Sequence, residues 1–278
     1  MGRVVLQKLL LPGMSELTLE RGHDRVGGFV IEAAAGVGLR TPSAIREAYY
    51  LDEETTPWVD VVRFEKPACS ALSAPSSQAR PWPSYTNGFL RPVNDTIAPV
   101  WKLSTTRYSP GAELWRIHDD ARQEHISTYR GAAFGWTGAR EWRPSSRYYG
   151  TRAVCGGVEY AADITDEMVE LTAYTQAQPA GQGWVQPRPA TWSRAVPLAD
   201  TDIYELAFNA RFEDVPVRVL EVSGETVRAE LLTDDPAIAE PINANLIDLG
   251  VFELTANGAQ LTHTELVANQ VAQPHQNE

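Results

Sequence analysis

The sequence holds few of the residues that mark a specialised class of protein. Two cysteines occur in 278 residues. Cys69 and Cys155 stand far apart, which excludes a disulfide framework and a cysteine-rich metal site. They read as small, partly buried residues. Long apolar runs are also missing. "VVLQKLLL", residues 4–11, is interrupted by Gln7 and Lys8 and closed by Pro12-Gly13. It is too short to cross a bilayer and has no small-residue cleavage pattern. The expectation is a cytoplasmic protein, or one exported without a classical signal peptide, with no membrane partner.

Positive charge is in deficit, with 24 Lys and Arg against 36 Asp and Glu and a net charge of −12. With the acids read as spread along the chain, a basic face for nucleic acid is excluded and a basic protein partner is favoured. Nucleotide and hydrolase signatures are absent: there is no Gly-x-Ser-x-Gly, no P-loop and no Gly-x-Gly-x-x-Gly. Gly27-Gly28 is not followed by a helix signal and makes no dinucleotide fingerprint. No cofactor is expected.

What is present is strand. The hydrophobic share of 43% is enough for real cores, and the length suggests more than one domain. Helical periodicity is confined to "TPSAIREAYYL", residues 41–51, with Thr41 or Ser43 as cap and Pro42 in the first turn. "WVDVVRF", residues 58–64, alternates and is β-branched. "AELWRIHDDARQEHISTYRG" predicts a hairpin around Asp119-Asp120, with Leu114 and Arg116 on one face and Trp115 and Ile117 on the other. Residues 74–99 are rich in Pro, Ser and Asn and read as a linker, which sets a boundary near residue 95.

Beyond it lies an internal repeat. "RAVCGGVEYAADITDEMVEL" and "ARFEDVPVRVLEVSGETVRAEL" each read strand, two-residue turn, strand, tight turn, strand. The turns fall at Gly156-Gly157 and Asp166-Glu167, then at Glu213-Asp214 and Ser223-Gly224. "ATWSRAVPLAD" then aligns with "GVFELTANGAQ". The pattern predicts duplicated small β-barrels of the SH3 type, and residues 99–143 read as a more distant copy. The fold class expected is mostly β, a small N-terminal α+β domain followed by duplicated barrel modules. The domains would be 1–95, a hairpin-rich module at 96–150, and barrel repeats at 151–206 and 207–278, the last with a polar tail.

Chemistry-bearing residues are scattered. His118 and His125 flank the hairpin turn with Asp119, Asp120 and Glu124, but no further His or Cys completes a metal shell, so no metal site is expected. Trp115, Trp136, Trp142 and Trp192 read as core or interface aromatics. Glu53-Glu54 and Asp234-Asp235 read as solvated turns.

The order of features from Leu17 to Pro75 resembles the tuberculosis necrotizing toxin family of NAD glycohydrolase domains. Asp24-Arg25 matches its Asp-Arg, Gly28-Phe29 its Gly-x-Phe strand, Ala35-Gly36 its turn, Arg40 its second arginine, and residues 61–67 its closing strand. Val26 stands where that family has Phe or Tyr, and its late Gly-x-Gln stretch is missing. The resemblance implies NAD as substrate, with Arg25 and Arg40 gripping the diphosphate. Gln78, the one glutamine of "APSSQARPWPSYTNGF", would hold the sugar as nicotinamide leaves.

Three functions are therefore expected in order. The first is a non-catalytic protein-binding component, of immunity or toxin-associated type, that uses the duplicated modules to hold a partner such as a basic toxin. In it Arg25 is structural, paired with Asp24 or Glu47, and Asp24-Arg25-Val26-Gly27-Gly28 is a turn. The second is an NAD(P) glycohydrolase-type toxin domain fused to β-modules. The third is a structural component of a phage or secretion assembly.

Overall fold

The computed structural model describes residues 4–51, 56–75 and 88–270. Its strands lie in two antiparallel sheets. The first is centred on β1 (Val5–Leu10), with β2 (Arg25–Glu32) and β3 (Trp58–Glu65) on either side. β4 (Leu72–Ser73) and β5 (Trp101–Arg107) continue it beyond β2, and β6 (Glu113–His118) and β7 (Gln123–Thr128) beyond β3. The central strands are apolar on both sides because both faces are covered. Leu9, Phe29, Ile31, Val61 and Ile117 pack against α2 (Pro42–Ala48). On the other face Leu6, Val30, Val62, Leu103 and Leu114 pack with Tyr108, Tyr129 and Trp136. Leu114 and Ile117 thus fall on opposite faces, as their alternation predicts.

α2 starts as the sequence predicts, with the Thr41 side chain accepting the Ala44 N–H at 3.3 Å and Pro42 in the first turn. A second helix, α1 (Pro12–Arg21), begins where Pro12-Gly13 closes the apolar run, in a stretch where the sequence predicts no helix. Pro12 opens it at a position where a missing N–H costs nothing, and Gly22 closes it at φ +61°. Its buried residues are Met14, Ser15 and Thr18, too mixed a stripe to announce a helix.

The sheet runs straight through the boundary expected near residue 95. β5 pairs with β2 and β6 with β3, so 1–95 and 96–150 are interleaved parts of one sheet. Residues 99–143 are likewise not a further copy of the barrel unit, since β5 and β6 are not neighbours. Alternation identifies a strand and its hairpin partner, but it carries no information about a partner far away in sequence.

Two antiparallel units with the same order of strand pairings follow in the second sheet, at the places of the expected barrels and called the barrels below. In the first, β8 (Tyr149–Cys155), β9 (Val158–Thr165) and β10 (Met168–Ala173) form a meander, extended by β11 (Val185–Arg188) and β12 (Thr191–Pro197). A 3-10 turn (Leu198–Asp200) then leads into β13 (Asp202–Phe212), which returns to pair with β8. In the second, β13, β14 (Val215–Ser223) and β15 (Thr226–Leu231) form the meander, α3 (Pro236–Ala239) intervenes, and β16 (Asn245–Asp248) and β17 (Val251–Asn257) extend it. Another 3-10 turn (Gly258–Gln260) leads into β18 (Leu261–Gln270), which returns to pair with β13.

The aligned segments correspond residue for residue. Ala190 and Gly250, both at positive φ, precede β12 and β17, the fifth strand of each unit, and both strands end in the 3-10 turn. Three of the four turns lie where the sequence predicts them, while Gly224-Glu225 comes one residue late. The expected division at 206/207 falls inside β13, which both barrels share. Residues 202–207 pair with β8, residues 209–212 pair with β14, and β18 covers the opposite edge.

Charge follows this division and is not spread evenly. Residues 1–148 carry 18 Lys and Arg against 16 Asp and Glu, whereas residues 149–278 carry 6 against 20. The whole excess of acid therefore resides in the barrels.

Candidate functional site

The segment His23-Asp24-Arg25 joins α1 to β2, and all three residues are buried. Arg25 begins a strand, so the expected turn is absent. Gly27 and Gly28 form a bulge at which the register against β5 shifts. At Gly28 (φ +77°) a Cβ would lie 2.1 Å from the Leu249 carbonyl oxygen, and at Gly27 it would lie 2.2 Å from Thr105 Oγ1. Gly27 makes room for β5 within the sheet, while Gly28 lets the backbone of the second barrel come close, and the Phe29 N–H donates to Leu249 O at 2.9 Å.

Arg25 is spent on that contact. Its Nη2 donates to Glu253 on β17, with both side chains almost wholly buried. Arg228 Nη1 lies 3.7 Å from the other Glu253 oxygen. The partner is thus neither Asp24 nor Glu47, and Glu47 instead faces Arg91 at 3.8 Å on the surface. Burial works against the Arg25 charge, but Glu253, Tyr149 and Glu230 outweigh it and leave the guanidinium pKa above its usual value. Arg40 is exposed in the loop before α2, with its Nε donating to Val37 O at 3.3 Å. The two arginines therefore share no pocket. Gln78 and the pair Glu53-Glu54 lie outside the described residues.

Arg25–Glu253 belongs to a set of ion pairs that cross from the first sheet to the barrels, all in the same sense. Lys8 meets Asp248 at 3.1 Å, Arg107 meets Asp163 at 2.8 Å, and Lys102 meets Asp234 at 3.5 Å. Every cation comes from the sheet and every anion from the barrels. Asp234 is fully buried, not part of a solvated turn, and its neighbour Asp235 caps α3 through the Ala237 N–H at 3.0 Å. Thr105 adds a hydrogen bond to Glu230. Charges withdrawn from water in this way persist only when matched, so the pairing fixes how the two sheets dock.

Around Asp24 the network closes on itself. Its carboxyl accepts from Ser145 Oγ at 3.2 Å and from Tyr129 OH at 3.4 Å. Arg107 donates to Ser145 Oγ at 3.0 Å, and Asp163 accepts the Ala132 N–H at 2.7 Å. Burial raises the Asp24 pKa, against the pull of Arg107 and of the Ser145 hydrogen bond. Burial also drives His23 well below 6.5, reinforced by Arg25, Arg143 and Arg228. Ser145 is buried, and besides Asp24 the groups bonded to its Oγ are Arg107 and the hydroxyl of Tyr174 (3.1 Å), both donors. Among the described residues no imidazole bonds Ser145 Oγ, and the hydroxyl's own proton is directed at the Asp24 carboxyl.

Two clefts open on the molecule, the first of them beside this network. One of about 170 Å³ lies beside Arg107, Tyr108 and Asp163, with Lys66 and Asp166 at its rim, and the Lys66 ammonium is held by Ser70 O at 2.7 Å. The other, of about 500 Å³, lies in the second barrel among Arg211, Asp214, His263 and Glu265. Neither gathers a nucleophile, a base and an oxyanion donor. In the β6–β7 hairpin, His118 pairs with Glu124 at 2.9 Å, and His125 bonds Thr128 at 2.9 Å and stands edge-on to Trp115. Among the described residues no three His, Cys, Asp or Glu side chains come together as a metal site.

The sequence points to none of Asp163, Asp248 and Glu253, and places Asp234 in a solvated turn. The available signal was a carboxylate inside an apolar strand, as in "VFEL" and "AADI". Such an acid is costly to bury unless a cation awaits it. Comparison of the chain with protein-family models, with curated proteins and with solved structures finds no match.

Proposed function

We propose that the chain is a non-catalytic protein-binding component, of immunity or toxin-associated type, in which the joined barrels are the platform and the first sheet is their brace. One observation carries the reading: Arg25 is buried against Glu253 and Arg40 is exposed elsewhere. A guanidinium that grips a diphosphate must reach the ligand, and Arg25 reaches only the chain's own carboxylate. On this reading the resemblance to the NAD-cleaving toxins extends to the arrangement of a few motifs and not to their chemistry.

The partner class follows from charge. Exposed acids stud the barrel turns, with Asp166 and Glu167 on the first and Glu213, Asp214 and Glu225 on the second. A basic protein, such as a cationic toxin, is steered toward such a surface. The test is to incubate the purified chain with NAD and measure free nicotinamide. No release above a heat-denatured control is expected. Release by the native protein that disappears in Arg40→Ala, a change at an exposed side chain, would establish the glycohydrolase reading instead.

A further inference from the structure

β18 is held along one edge only. It pairs antiparallel with β13 from Tyr204 opposite Gln270 to Phe212 opposite Leu261, with one irregularity near His263, whose φ is +48°. Among the described residues no strand meets its outer edge. From Thr262 to Asn269 every side chain except Val267 is exposed, and Leu266 is 63% exposed. The other sheet edges are short or covered. β4 has two residues, β11 and β16 have four each, and the end of β7 is bonded to Thr137 through Thr128 N–H. An unpaired edge of ten residues is a template for another strand, and this one lacks the lysine or proline that blunts natural edges.

The internal repeat indicates what such an edge receives. β13 enters after a 3-10 turn, pairs with β8 on one side and receives β18, antiparallel, on the other. β18 enters after the equivalent 3-10 turn and pairs with β13, and among the described residues no strand takes the place of the next addition. Among the described residues the one edge long and open enough to supply it is β18 itself, on another molecule.

We infer that two copies of this chain join through their β18 strands, antiparallel about a twofold axis, into a closed dimer. An antiparallel pair of identical strands satisfies a twofold without further adjustment. Centred on Val267, the register sets Leu266 opposite Ala268 of the partner subunit and Glu265 opposite Asn269 of the partner subunit. The single carboxylate of this strand then never faces its own copy, a juxtaposition that would repel. The barrels carry a large excess of acid, yet β18 contributes only Glu265 to it.

Strand pairing buries a modest area, so a reversible dimer in the range of about 10–100 µM is expected. Sedimentation equilibrium of the full chain over that range reads it directly. Leu266→Lys, at an exposed side chain, should weaken association at least about tenfold by setting charge on the joint. Val37→Lys, 69% exposed in the first unit, should leave association unchanged. A monomer at every concentration, association that Leu266→Lys does not weaken, or growth beyond two copies would each overturn the dimer. The inference stands apart from the proposed function, since nicotinamide release bears only on the latter.

Discussion

Gly28 lies directly beneath the Leu249 carbonyl, where a Cβ would sit 2.1 Å from the oxygen while the next residue, Phe29, donates its N–H to it at 2.9 Å. The approach is reciprocal, because a Cβ on Gly250 (φ +74°) would lie 2.9 Å from the Phe29 ring. Two glycines far apart in sequence therefore let one backbone of each unit touch the other.

Gly28→Ala should destabilise the fold by about 3 kcal/mol or more, because a left-handed backbone and a collision with backbone act together. Gly13→Ala has open space around the new methyl group and lies inside α1, so it should be neutral or mildly stabilising. Chemical denaturation of the two variants checks this, and equal midpoints would show that the close approach is not needed.

The meanders of the barrels were legible in the sequence because their pairings are local, whereas the returns of β13 to β8 and of β18 to β13 are not. Two-residue turns, short alternating strands and an aligned "ATWSRAVPLAD" and "GVFELTANGAQ" are all signals between neighbours. The first sheet was not legible, since its order β4-β5-β2-β1-β3-β6-β7 depends on strands that meet across long separations. The same limit hid the site. Arg25 could be seen as a candidate for a special role, but Glu253 lies 228 residues away, so the nearby Asp24 and Glu47 were the partners on offer. Proximity in sequence is a poor guide to the counter-ion of a buried arginine.

Removing one member of the Arg25–Glu253 pair should cost far more than removing both. Glu253→Ala leaves two guanidinium groups facing a void, a loss of about 3–5 kcal/mol. Arg25→Met with Glu253→Leu replaces charge by apolar volume and should recover most of that loss. A double-mutant cycle measured by urea denaturation gives the coupling, and additive losses would mean that the pair contributes nothing to docking.

His23 should make the protein acid-sensitive in the range where histidine ordinarily titrates. Burial, then Arg25, Arg143 and Arg228, hold the folded imidazole well below 6.5, whereas the unfolded chain takes up a proton near that value. Below it the unfolded state binds more protons than the folded one, so stability falls as pH falls, by up to about 1.4 kcal/mol per pH unit. Asp24 acts in the opposite sense. Its raised pKa favours the protonated carboxyl in the folded state, and that advantage is lost as pH rises through the folded pKa. Comparing the wild type with His23→Asn between pH 7 and 5 cancels the Asp24 contribution common to both and isolates the imidazole. The wild type should lose stability more steeply, and parallel slopes would show that His23 gains its proton in the folded state as readily as in the unfolded one.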